Sequence, residues 1–297
     1  MSIGVIAVWW LACLLWSGTF LFIKVGLADV PPWTFASVRL LIALGVLLPI
    51  AQARRGFAGL ARRDVATVMT AGLILLGVNY ALLYWGAQFI TSGLVAILQS
   101  ATPVVALAIG WLLGTEAVSM RKVLALGAGV VGVVLIFGAE AGASGTRGVF
   151  GAAAVVASSI CVASAYVWLK GYDKPLPPLT VTTLQCMAGL VPLLAGACVL
   201  EGPPLYTSWT PRALAAVFYL AIGGSVIAFW LNYWLLRRMD ASAMLMMGVA
   251  EVPIAVALGA ALLGERLPAG TLAGAGCVLA GVILGPLRTQ PSRPDAS

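Results

Sequence analysis

The chain has 297 residues, of which 62% are hydrophobic and only 9% charged, and its mean hydropathy is +1.05. A water-soluble globule carries about a quarter charged residues, so this composition excludes a soluble domain and points to a polytopic membrane protein. The net charge of +7 comes from Lys and Arg in short clusters between apolar runs, which act as topology signals and exclude a nucleic-acid-binding face.

The first apolar run, about residues 3–25, has no basic region before it and exceeds a signal-peptide core, so it reads as a membrane helix. Nine further runs bounded by Pro, Gly and charge follow at about 33–50, 65–86, 92–113, 122–138, 148–169, 179–200, 212–236, 242–263 and 269–287. Most approach the roughly 20 residues that cross the hydrocarbon core. Between the third and fourth runs no charge intervenes, and the turn is marked by Gln88, Thr91, Ser92 and Gly93.

The ninth run contains Glu251, two residues before Pro253. A carboxylate at that depth costs roughly 3 kcal/mol on insertion scales, so it is read as functional. The run also has a partner. Setting Pro253 on Pro103 matches Ser242 with Ser92, Leu262 with Leu112 and Gly264 with Gly114, and a one-residue slip sets Glu265 on Glu116. Setting Lys24 on Lys170 aligns Pro31 and Pro32 with Pro177 and Pro178, while Gly127, Gly132 and Leu135 match Gly276, Gly281 and Leu284.

The chain therefore divides into five-helix units at 1–139 and 147–288, with a short tail at 289–297. Five is odd, so the second unit enters from the opposite side, giving ten transmembrane helices as two inverted five-helix repeats around a central cavity. Twelve Lys and Arg, including Arg54, Arg55, Arg62, Arg63, Arg121 and Lys122, fall on one side. Four fall on the other, Lys24, Arg147, Arg212 and Arg266, and Arg39 lies within a span. Positive-inside then places both termini in the cytoplasm.

His is absent, which removes the commonest general base and metal ligand. The five cysteines lie in apolar runs and form no CxxC pair. The GAGVVG stretch at 127–132 satisfies a dinucleotide pattern but follows no strand. Ala273, Cys277, Gly281 and Gly285 form a helix-packing stripe. No Walker A motif is present, so neither cofactor nor metal is expected.

WSGTFLFIK in the first span, the proline-containing fourth and ninth spans ending in GTE and GE, and the glycine-patterned fifth and tenth spans resemble the drug/metabolite transporter superfamily, EamA-type. Length and Trp and Tyr content are similar to bacterial inner-membrane exporters of aromatic and other amino acids. The resemblance implies an all-α membrane transporter with a midplane cavity between the halves. Many members carry the acid directly before the ninth-span proline; here it lies two residues before, which turns the carboxylate by about 100°.

Candidate cavity residues are Trp16 in the first span, Asn79, Tyr80 and Tyr84 in the third, and Gln99 in the fourth. Tyr166 and Trp168 in the sixth, Trp230, Asn232 and Tyr233 in the eighth, and Glu251 in the ninth complete the set. Aromatic faces would stack on and sieve the substrate, and Asn79 and Gln99 would orient its polar groups. Tyr84 reads equally as part of an interfacial belt, and Gln99 as interhelical glue. Met244 and Met247 share a face with Glu251, and Arg39 is its candidate counter-charge and coupling partner.

These readings converge on a secondary transporter that exports small amphipathic metabolites, chiefly amino acids, across the bacterial inner membrane by alternating access. The alternatives are a multidrug or quaternary-cation exporter and, in another class, an intramembrane lipid-modifying enzyme. The partners expected are a small-molecule substrate and the lipid bilayer, and monomer and homodimer both fit the sequence.

Overall fold

The computed structural model describes residues 3–114, 120–143, 145–170, 172, 176–202, 207–236, 238 and 241–284, without the side chains of 140–143, 170, 233, 236, 241–246 and 249. Expectations at Glu116, Lys174, Tyr233, Met244 and the 289–297 tail lie outside these described residues. Within them the secondary structure is entirely helical: α1 Ile3–Leu27, α2 Pro32–Ala53, α3 Arg62–Ala87, α4 Ser92–Leu112 and α5 Met120–Ala143. Then come α6 Gly145–Lys170, α7 Pro178–Glu201, α8 at 211–236, α9 Ala241–Leu263 and α10 Ala269–Leu284. The first eight contain stretches long and apolar enough to cross a membrane, and the last two contribute shorter apolar stretches, Ala250–Leu263 and Ala269–Leu284.

Local chemistry sets the helix ends. Pro32, Pro178 and Pro211 open α2, α7 and α8, where a missing N–H costs nothing. The uncharged turn between α3 and α4 is closed by Thr91, whose hydroxyl accepts the Leu94 N–H at 3.2 Å. At the far ends of α4 and α9, Gly114 and Gly264 take φ of +68° and +65°, the left-handed exit that glycine enters without strain.

Proline and wide turns bend the spans. Pro103 cannot donate to the Gln99 carbonyl one turn back, α4 is interrupted at Ala101, and Thr102 Oγ1 donates to that orphaned oxygen at 2.7 Å. In a bilayer no water could have satisfied it. Among the described residues, Leu73–Val78 in α3, Ala197–Glu201 in α7 and Tyr219–Ile227 in α8 are π-helical.

Lipid supplies no hydrophobic drive for helix association, so close backbone approach at small residues carries much of the packing. A β-carbon on Gly132 would lie 2.6 Å from the Gly274 carbonyl, and one on Gly274 2.6 Å from that of Gly132, which locks α5 to α10. Gly86 and Gly151 meet in the same way between α3 and α6. The other principal contacts pair α2 with α7 and α8, α3 with α7, α1 with α8 and α9, and α4 with α6 and α9.

Polar ties gather at the two ends of the helix assembly. At one end, here the Glu265 face, Lys24 holds the α3–α4 turn and Glu265 holds the start of α4. Glu201 there accepts the Trp33 and Thr34 N–H groups at 2.9 and 2.8 Å, and Asp29 pairs with Arg212 and Thr210. Those two partners hold the Asp29 carboxyl down at about 2 against an ordinary 3.8. The tie is therefore complete above the ordinary value and is lost only as pH falls through about 2. At the opposite end Thr180 donates to the Gly56 carbonyl, Tyr172 to Asp64 and Arg121 to the Leu284 carbonyl.

Replacing Gly132 with Val should force α5 from α10 and cost about 1–3 kcal/mol, seen as a lower melting temperature of the detergent-purified protein. Gly276→Val, where nothing lies within 4 Å of a new β-carbon, should leave melting unchanged.

Candidate functional site

Arg39 is a cation on α2, seven residues in from Pro32, and it is only 3% exposed. Its Nη1 donates to the Tyr84 hydroxyl at 2.8 Å, and its Nη2 and Nε lie 3.2 and 3.4 Å from Ser225 Oγ. The guanidinium also sits 4.9 Å from the centroid of the Tyr80 ring, which is attractive electrostatically. Tyr80 and Tyr84, one helical turn apart, stack at 5.5 Å. The π-helical winding of α8 shapes the acceptor: Ser225 Oγ donates to the Leu220 carbonyl five residues back at 3.1 Å, leaving its lone pairs to Arg39.

Glu251 is not the partner of Arg39. No carboxylate lies within ion-pair reach of that guanidinium among the described residues, which replaces the expected counter-charge by two hydroxyls and a ring face. Tyr84 is fully buried in the same cluster and packs on Phe35 at 5.9 Å, so in this structure it belongs to the protein interior and not to an interfacial belt.

The Glu251 side chain is half-buried and deep in the assembly, with no cation beside it among the described residues. Its own carbonyl lies 3.2 Å from Ser17 Oγ of α1. Along α9, Gly248, Glu251, Ala255 and Gly259 form one stripe at helical spacing. A β-carbon on Gly248 would meet no described atom within 4 Å, Ala255 is 1% exposed, and a β-carbon on Gly259 would collide with the Glu265 carboxylate and Ser92. The stripe that carries Glu251 is therefore closely packed toward Gly259.

Tyr166 of α6 lies within electrostatic range of both Glu251 and Tyr80. It is 55% exposed. The half-buried Trp16 packs edge-on to Phe229 at 6.3 Å. Trp168 and Trp230 are broadly exposed, and Asn232 is half-buried; no contact ties these three to Glu251.

Gln99 is committed to the protein. Its Nε2 donates to Ser158 Oγ at 3.0 Å, and its Oε1 lies 2.9 Å from Ser159 Oγ, both on α6. Asn79 is 5% exposed and donates to the Leu75 carbonyl at 2.8 Å, while its Oδ1 has no partner among the described residues. A separate cleft of about 430 Å³ opens between α2, α3 and α7, lined by Trp33, Gly77, Ala81, Trp85, Pro192 and Leu200 among others. It carries no charged side chain to orient a polar substrate, which leaves Glu251 as the candidate centre.

The model of the EamA-like transporter family matches residues 2–138 and again 149–285. The chain belongs to the EamA-like transporter family. This is a family of membrane transporters, and its members among the relatives are named as transporters, not enzymes. An uncharacterized transporter of Bacillus subtilis, YoaV, is 25% identical over 96% of both chains. An uncharacterized inner membrane transporter of Escherichia coli K12, YedA, is 26% identical over 86% of this chain and 81% of its own. A probable amino-acid metabolite efflux pump of Salmonella typhimurium is 23% identical over 92% of both. A crystal structure 21% identical in sequence superposes with a TM-score of 0.60 over 96% of each chain, which shows a shared fold.

Several residues that hold this EamA transporter's interior together carried no signal of their own. Ser225, Ser158 and Ser159 are small hydroxyls in apolar runs, and only the crossing of helices gives them Arg39 and Gln99 as partners. Gln99→Ala should cost about 0.6–1.7 kcal/mol of stability, the range of interhelical hydrogen bonds in membranes, by thermal melting in detergent. Its pattern of transported solutes should stay that of the unmodified protein.

Proposed function

We propose that this EamA transporter exports small amphipathic metabolites, foremost amino acids with apolar or aromatic side chains, by alternating access in the bacterial inner membrane. The observation that carries the reading is the Glu251 carboxylate, which lies deep in α9 within electrostatic range of Tyr166 and has no described cation beside it. Such a group can receive a substrate ammonium or a transported proton, while Tyr80, Tyr166 and Trp16 offer faces for an apolar side chain. The efflux-pump relative supports amino acids as the substrate class.

The architecture proposed is ten spans in two inverted repeats, 1–139 and 147–288, with both termini cytoplasmic. Three observations support it: the family model matches once in each half, Lys and Arg are divided unevenly between the sides, and the helix contacts come in exchange-related sets. Thus α3 lies on α6 as α8 lies on α1, α4 on α6 as α9 on α1, and α3 on α7 as α8 on α2.

A permanently charged organic cation would use the same carboxylate and rings, and flux separates the two classes. Proteoliposomes should show counterflow of L-phenylalanine and not of tetraphenylphosphonium; the reverse result would assign the site to cations. Tyr80→Ala should lower phenylalanine flux more than alanine flux, because stacking area is lost while the charge site stays. An equal fall for both would make Tyr80 structural. If Glu251 carries the coupled proton, Glu251→Gln should abolish accumulation driven by a pH gradient and leave equilibrium exchange largely intact. Identical pH dependence in the two proteins would remove Glu251 from coupling.

A further inference from the structure

The α3–α4 turn is gripped from two sides by opposite charges. Lys24, in the last turn of α1, directs its ammonium at three carbonyls of the turn, Ala87 at 3.0 Å, Gln88 at 3.0 Å and Ile90 at 2.7 Å. An ammonium has three donors, so its capacity is spent on this one turn. Glu265, just beyond α9, accepts the Ser92 N–H at 2.8 Å, the Ser92 hydroxyl at 2.7 Å and the Gly93 N–H at 3.3 Å. The cation thus meets the carbonyl end of α3 and the anion the amide end of α4, each matching the helix dipole it faces.

The position of this clamp relative to Glu251 gives it a second meaning. Gly259, whose missing side chain makes room for the Glu265 carboxylate, lies eight residues beyond Glu251 on the same stripe, about 12 Å along the helix. Between them α4 and α9 close together, with a β-carbon on Gly93 only 3.1 Å from Val256 Cγ2. Toward Gly248, on the other side of Glu251, no described atom lies within 4 Å of a new β-carbon.

We propose that Lys24, Ser92, Gly93 and Glu265 form the gate on the Glu265 face, shut in this structure, and that its release is required for the Glu251 space to open there. This rests on the alternating-access reading above, whose orientation makes that face the outer one. The three side-chain positions recur in the sequence repeat as Lys170, Ser242 and Glu116, as a device used once per half would. The helix-end ties of Glu201 and Asp29 on the same face leave the α3–α4 turn untouched.

The test reads access to the site, not transport. In the full chain with its five native cysteines replaced by serine, Gly248→Cys places a thiol on the Glu251 stripe, and a membrane-impermeant maleimide is applied to sealed vesicles of either orientation. The parent should label faster from the face opposite Glu265. Lys24→Met and Glu265→Gln should each raise labelling from the Glu265 face about tenfold, the shift expected on losing one charge-assisted hydrogen bond. Gly259→Ala, which displaces the carboxylate without removing its charge, should do the same if Glu265→Gln proves too unstable to purify. Glu201→Gln should label as the parent does; an equal rise there would mean general loosening of that face and overturn the gate. Unchanged rates in Lys24→Met and Glu265→Gln, with the parent labelling asymmetrically, would overturn the gate alone. Equal labelling of the parent from both faces would overturn gate and alternating access together.

Discussion

A charge or an open backbone group inside a bilayer has no water to turn to, and every such group in this chain must find its partner in protein. That constraint explains why the carbonyl orphaned by Pro103 is taken by Thr102, and why Arg39 draws in a tyrosine hydroxyl, a serine hydroxyl and a ring face from two other helices. Leaving a buried guanidinium unpartnered would cost several kcal/mol. Arg39 therefore joins α2 to α3 and α8, and its neighbours are fixed by its needs.

Glu251 stands outside that rule. Arg39, the other charge set deep in a span among the described residues, is tied down, while this carboxylate has no described cation beside it. A transporter must keep one polar group unsatisfied at the place where solute binds, because a fully paired group has nothing left to offer. The cost of that vacancy is borne by the rest of the assembly, through the close glycine crossings of α5 with α10 and α3 with α6 and the ties at both ends.

The all-helical membrane class and, among the described residues, the helix bounds were legible in the sequence, since apolar length and proline and glycine punctuation are properties of the chain itself. Even the uncharged turn at 88–91 was marked, by the threonine that proves to cap α4. Partner choice was not legible. Gln99 was expected to face either solute or a neighbouring helix, and only the approach of α6 decided for Ser158 and Ser159. Arg39 was matched with Glu251 because both lie within spans, whereas its acceptors, Tyr84 and Ser225, are residue types with no charge to advertise. Lys24 and Glu265 were read as a topology signal and a repeat marker; their joint hold on one turn depends on three segments meeting in space.

The π-helical stretches of α3 and α8, at similar depths in corresponding helices of the two halves, carry a consequence for how such a chain evolves. Each π turn holds one residue more than an α turn, so it stores an inserted residue without breaking the helix. Removing that residue would let the backbone rewind to α and swing everything beyond it by about 100°. In α8 that rotation would carry Trp230 and Asn232 to another face while leaving Tyr219 in place. A single-codon deletion could thus re-line one wall of the molecule in one step, a larger change of surface than any point substitution provides.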